Sequence, residues 1–183
     1  MATFIAIDFE ATGLLKLSEH PEDQPGIIEI GAIKDNGEEY QILIDPECEF
    51  EDKAQQITGI NLEDLDGAPN LPVIFQTFAE FFVGATHLVT FNGTNYDCPL
   101  LMWNLRKYGL EYSFPWPPCH WDVMKISTDI LGLQGKTGNK YPTLIECHTE
   151  LFGEDYPRAH RAIDDAKATM RCFKKLRQDG YVT

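Results

Sequence analysis

Residues 3 to 9 (TFIAIDF) form an almost unbroken apolar run rich in β-formers, the pattern of a central strand buried on both faces. A second strand is predicted over 27–34 (IIEIGAIK). Asp35-Asn36-Gly37 then supplies a strong hairpin signal, and EEYQILID (38–45) continues as a third strand until Pro46. Three antiparallel strands therefore come first. Beyond them the period changes. Pro72 suits the first turn of a helix over Val73 to Phe82, HLVTF (87–91) is a compact fourth strand, and Asp97 to Tyr108 is the next helix. Trp121 to Val123 is a short fifth strand, followed by helices near 124–131, 143–152 and 161–178, with Gly153 as a stop for the middle one. The expected fold is α/β: a central mixed five-stranded sheet flanked by helices. Two loops stand out, the polar segment 16–26 and the proline-stiffened SFPWPPCH (113–120).

With 183 residues, 43% of them apolar, one core and a single domain over 1–183 are expected. No stretch approaches the ~20 uninterrupted apolar residues of a membrane span, and MATFIAIDFE puts acids where a signal peptide would place its cleavage site. The five cysteines are scattered and form no CxxC pair, which fits reduced thiols and a cytoplasmic home. Cys119-His120 with Cys147-His148 invites a zinc reading, but adjacent ligands on one backbone rarely converge on one ion. A net charge of −14 argues against broad duplex binding, which depends on Lys and Arg neutralising phosphates. Bound divalent cations can reverse that sign locally.

The acids carry the candidate chemistry. Asp8 and Glu10, two residues apart on one strand, point to the same face within reach of one ion. Alone, such a D-x-E pair is better explained by a strand that ends in solvent. Asp97 follows Asn92-Gly93 and opens a helix, where it could equally be a cap. On the last helix an apolar stripe runs through Ala162, Ala166, Thr169, Phe173 and Leu176. Asp165 borders that stripe, while Asp164 points elsewhere. His160, five residues before Asp165, falls in the loop leading into the helix and is a candidate general base, because imidazole titrates near neutrality.

DFEATGL (8–14), NGTNYD (92–97) and HRAIDD (160–165) together resemble the motifs of the DEDD-type 3′-to-5′ exonucleases, in the subgroup with a catalytic histidine (DEDDh, DnaQ-like). IIEIGAI, ITGI and the HWDV stretch around Asp122 look like further landmarks, and NGTNYDCPLL is most similar to the TREX-like version. The resemblance implies a ribonuclease H-like fold and two Mg²⁺ or Mn²⁺ ions. Asp8, Glu10 and Asp165 would hold the first ion, Asp8 would bridge to the second, and Asp97 would act through a metal-bound water. It makes His160 the base, and it has Ala11, Thr12, Gly13 and Leu14 receive the terminal nucleotide with Asn92 positioning the strand. Phe91 departs from the family, where many members carry His. The implied partner is the 3′ end of single-stranded DNA, with RNA trimming as the alternative and an inactive binding module as a third reading. Lys136, Lys140, Arg158, Arg161 and Lys167 are expected to gather near the third motif, either meeting incoming phosphates or forming an ordinary solvated face.

Overall fold

The computed structural model describes residues 2–154, 156 and 161–182. Its sheet has the order β3-β2-β1-β4-β5, built from β1 (Phe4–Ala11), β2 (Ile27–Lys34), β3 (Glu39–Leu43), β4 (His87–Thr90) and β5 (Cys119–Asp122). The first three strands pair antiparallel and β4 and β5 join in parallel, so the sheet is mixed as the sequence predicts. β1 runs two residues further than the apolar run suggests, which puts Glu10 inside the strand. β3 is shorter than predicted, and Asp45 makes only an isolated bridge to Asn70.

The alternation along β1 sorts the molecule into layers. Ile5, Ile7, Phe9 and Ala11 face a core shared with α2 (Leu71–Phe82) and α3 (Asp97–Lys107). Phe4 and Ala6 face the other core, shared with α4 (Val123–Leu131), α5 (Leu144–Phe152) and α6 (Ala162–Gln178). Asp8 and Glu10 continue this second row, so the pleat directs both acids toward α6. The α6 stripe predicted from its spacing is fully buried: Ala162, Ala166, Thr169, Phe173 and Leu176 are each no more than 1% exposed.

Local chemistry explains the helix ends. The Thr143 hydroxyl accepts from the Glu146 amide and the Glu146 carboxylate returns to Thr143, while Gly153 closes α5 in the left-handed conformation. The sequence reading lacked α1 (Asp52–Thr58) and a two-residue hairpin, β6 (Gln134–Gly135) with β7 (Gly138–Asn139). Helix α1 buries only Ala54 and Thr58, against a small satellite core with Ile28, Phe50, Ile60 and Leu65.

Candidate active site

One carboxylate oxygen from each of Asp8, Glu10 and Asp165 lies within 4.8 Å of the others. Two strand acids and one helix acid, 155 or more residues apart in sequence, are brought together by the docking of α6 on β1 and β2. Register explains how that docking is held. Asp8 pairs with Gly31 and Glu10 with Glu29, so all four positions share the face that meets α6. Glu29 is completely buried. Its Oε1 accepts from Arg161 Nε at 2.9 Å and Nη2 at 2.7 Å, and from Gln41 Nε2 at 2.8 Å, while its Oε2 accepts the Ala162 amide at 3.1 Å. The orphan amide of the first turn of α6 is thus satisfied by a β2 carboxylate. Two residues on, Gly31 lies so close to α6 that a Cβ there would sit 2.1 Å from the carbonyl carbon of Ala162.

Asp97 arrives from the opposite side, at the first position of α3. Tyr96 and not Asp97 occupies the cap position, and the Asp97 side chain is buried. Asp97 stands outside the trio, yet its charge is among those that act on Asp8 and Glu10. Its carboxylate is steadied by hydrogen bonds from its own amide and from that of Phe9. Phe9 lies past the β1–β4 ladder, which covers Phe4 to Ala6 only, so its amide has no β4 partner. The preceding turn is anchored by Asp122, whose Oδ1 accepts the Asn92 amide at 2.9 Å and whose Oδ2 accepts the Thr94 amide at 3.1 Å. Asn92 adopts a left-handed φ of 63° there, and its side chain accepts from Asn95.

Burial dominates the electrostatics. It pushes Asp8 well above the usual carboxylate range, with Asp97, Asp165, Glu10 and Glu29 adding repulsion in that order. Burial likewise raises Glu10 to about 8, helped by Asp165, Glu29 and Asp97 and opposed by Arg161. Asp97 is raised to about 7 by burial, with a smaller push from Asp122. Such a cluster is costly when ionised and uncompensated. An all-oxygen donor set of this charge suits a hard divalent cation.

Beside the acids lies a cleft of about 420 Å³ lined by Glu10, Ala11, Gly13, Leu14, Ile57 and Tyr96, among others. Tyr96 donates to the Gly13 carbonyl at 2.9 Å, and Leu14 is 74% exposed at the rim. Thr12 is buried, its hydroxyl accepting from the Gly26 amide, and Asn92 sits in the turn held by Asp122; neither is among the residues lining this cleft. The general-base candidate His160 lies outside the described residues, as does Arg158. Of the basic residues near the third motif, Lys140 pairs with Glu146, Arg161 with Glu29 and Lys167 with Glu39, so these three are engaged within the chain. Among the described residues no zinc set forms, since His120 meets Thr90 and His148 meets Arg171. Glu29, Gly31 and Asp122 were not singled out by the sequence reading, although the first two lie in IIEIGAI and the third in HWDV.

Fold and site together define a ribonuclease H-like α/β domain carrying a carboxylate cluster beside an open cleft. A family model described as Exonuclease (RNase_T) matches residues 5–173, and the chain belongs to this exonuclease family. Among its relatives, the PolC-type DNA polymerase III of Thermotoga maritima is 30% identical over 180 residues, covering 96% of this chain but 12% of the relative. Three prime repair exonuclease 2 of Homo sapiens is 32% identical over 132 residues, covering 58% of this chain and 54% of the relative. The chain therefore spans about an eighth of the PolC-type protein and about half of the human one. Among solved structures, E. coli Exonuclease I in complex with a dA16 oligonucleotide superposes with a TM-score of 0.77 at 18% identity, covering 98% of this chain and 42% of that one. The nuclease domain of 3′hExo, described as a DEDDh family member bound to rAMP, gives 0.73 at 22% identity, with 98% and 94% covered. The family uses divalent metal ions, and a cluster able to hold one is present here. No described helix is long and apolar enough to cross a membrane.

Proposed function

We propose that residues 1–183 act as a single exonuclease domain that removes nucleotides from the 3′ end of single-stranded DNA. The observation that carries this reading is the meeting of Asp8, Glu10 and Asp165 within 4.8 Å, with Glu10 also lining the cleft and the charge of buried Asp97 acting on Asp8 and Glu10. Asp8, Glu10 and Asp165 would hold one Mg²⁺ or Mn²⁺, with Asp8 shared with a second ion and Asp97 acting through bound water. Such ions supply positive charge to the attacking and leaving oxygens of an in-line phosphodiester hydrolysis. The chain's own groups do the rest. His160 takes the proton of the attacking water, Leu14 and Ile57 offer apolar surface to the terminal base, and Ala11 and Gly13 let the nucleotide approach the backbone closely. A cleft open at one side admits a strand end without a wide basic surface, which a chain of net charge −14 does not supply.

RNA is the second reading, favoured by the rAMP-bound domain that superposes on this chain. The test incubates 5′-labelled single-stranded DNA and RNA of equal sequence with Mg²⁺ or Mn²⁺, with and without chelator. A ladder shrinking from the 3′ end, abolished by chelator and by Asp8→Ala, is expected. Shortening that survives either treatment would overturn the assignment.

A further inference from the structure

Asp165 receives a hydrogen bond that the metal-site motifs do not account for. The Tyr156 hydroxyl donates to its Oδ1 at 3.1 Å. Tyr156 lies in the connection between α5 and α6, where a side chain is held only by what it packs against, and here the support is extensive. Its ring rests on His148 with centroids 5.2 Å apart, and His148 in turn packs on Phe152 at 4.7 Å. His148 and Phe152 are four residues apart on α5, so one helix face presents both rings. The Arg171 guanidinium also lies over the Phe152 ring, 4.0 Å from its centroid. Arg171 also donates to His148 Nε2 at 2.9 Å and pairs with Glu154 at 2.7 Å. A guanidinium has only donors, so Nε2 must accept, and the neutral ring carries its proton on Nδ1. His148 is 2% exposed and its Nδ1 has no partner among the described residues, so this imidazole is spent on packing Tyr156.

We propose that Tyr156 is a positioning residue for the metal site, its phenol fixing the Asp165 carboxylate toward Asp8 and Glu10 while the Arg171–Phe152–His148 stack fixes the phenol. The inference rests on the reading of Asp165 as a metal ligand. A carboxylate at the start of a helix can turn about two side-chain torsions, and only some orientations meet the strand acids. A donor locked from outside the trio removes the others before an ion arrives. Partners of this kind, which orient a ligand without touching the ion, change metal affinity or activity by about 10–100-fold when removed.

The test is Mn²⁺ binding to the whole chain in the absence of nucleic acid, followed by the loss of the free-ion EPR signal. Tyr156→Phe keeps the ring on His148 and removes only the donor. It is expected to weaken Mn²⁺ by about 10-fold or more, with the metal-free melting temperature within roughly 2 °C of the parent. Tyr156→Leu, lacking ring and hydroxyl, is expected to show the same loss of affinity and a lower melting temperature. Unchanged affinity in Tyr156→Phe overturns the proposal, as does a loss confined to Tyr156→Leu, which would assign the effect to ring packing. Because no substrate is used, a parent protein that binds Mn²⁺ in a Tyr156-dependent way but never shortens DNA or RNA would reject the nuclease reading alone.

Discussion

The contact between Gly31 and α6 yields the sharpest prediction. An alanine Cβ at position 31 would lie 2.1 Å from the Ala162 carbonyl carbon, 2.2 Å from the Ile163 nitrogen and 2.4 Å from the Ala162 oxygen, whereas ordinary contact begins near 3.4 Å. The obstacle is backbone, so no side chain can swing aside, and the start of α6 must withdraw by about 1.3 Å. Overpacking a core by one methyl typically costs about 1–3 kcal/mol, and an immovable neighbour places Gly31→Ala at the upper end. The reduced freedom of the unfolded chain returns about 0.4–1 kcal/mol, leaving a net loss of about 2 kcal/mol. For a chain of this size the melting temperature should fall by roughly 4–8 °C. The larger effect should fall on function. Asp165 begins three residues beyond the clash, so the same withdrawal pulls its carboxylate from Asp8 and Glu10, and misplacement by about 1 Å costs about 10²-fold in rate. The assay pairs a thermal melt with Mn²⁺ affinity and exonuclease turnover. A variant that melts within 1–2 °C of the parent, by the same scaling, and binds Mn²⁺ equally well would refute the claim that Gly31 sets the position of α6.

Three further outcomes follow from buried acids. Asp122→Asn replaces a two-oxygen acceptor with one oxygen and a donor facing an amide, so the Asn92–Thr94 turn should lose about 2–3 kcal/mol; a melt unchanged by the substitution would show that the turn holds itself. Metal-free stability should fall as pH rises. Glu10 and Asp97 are raised in the fold to about 8 and about 7, so the stability their protonation contributes is present below their unfolded values and is lost as pH climbs through those folded ones. Cations and protons compete for the same oxygens, so the gain in melting temperature from Mn²⁺ over chelator should be larger at pH 8 than at pH 6, and an equal gain would count against the cluster as the binding site.

Much of this was legible in the sequence because it is local. The alternation of β1 placed Asp8 and Glu10 on one face, Asp35-Asn36-Gly37 turned the chain, and the four-and-three spacing in α6 buried Ala162 through Leu176 while leaving Asp165 at the edge of the stripe. What escaped was set by distance or by brevity. Glu29 reads as one polar residue in an apolar strand, and nothing near it announces that its partners are Arg161 and Ala162, more than 130 residues on. Gly31 is one glycine within a strand, and nothing near it in sequence announces that the start of α6 packs against it. Helix α1 is seven residues with two buried positions, too short for a periodic signal to rise above its polar composition. Thr12 and Asn92 are expected at the substrate because they lie within motifs; what the motifs do not announce is that the Thr12 hydroxyl accepts from the Gly26 amide and the Asn92 backbone amide donates to Asp122.

The charge distribution binds these observations into one constraint. The late basic residues, read from the sequence either as meeting incoming phosphates or as an ordinary solvated face, include Lys140, Arg161 and Lys167, each of which faces a carboxylate of this chain. Among the described residues Arg161 is the basic group that opposes the raised pKa of Glu10, and its side chain is already committed to Glu29. With four acids converging and, among the described side chains that act on them, one shared cation, the ionised cluster repels a phosphate backbone. Binding of divalent ions must then come before productive binding of a strand end, because it supplies the only change of sign large enough at that place. On this argument chelation should abolish affinity for the strand end as well as turnover, and an oligonucleotide that binds the chelated protein as tightly as the metal-loaded one would show that the strand is held elsewhere on the surface.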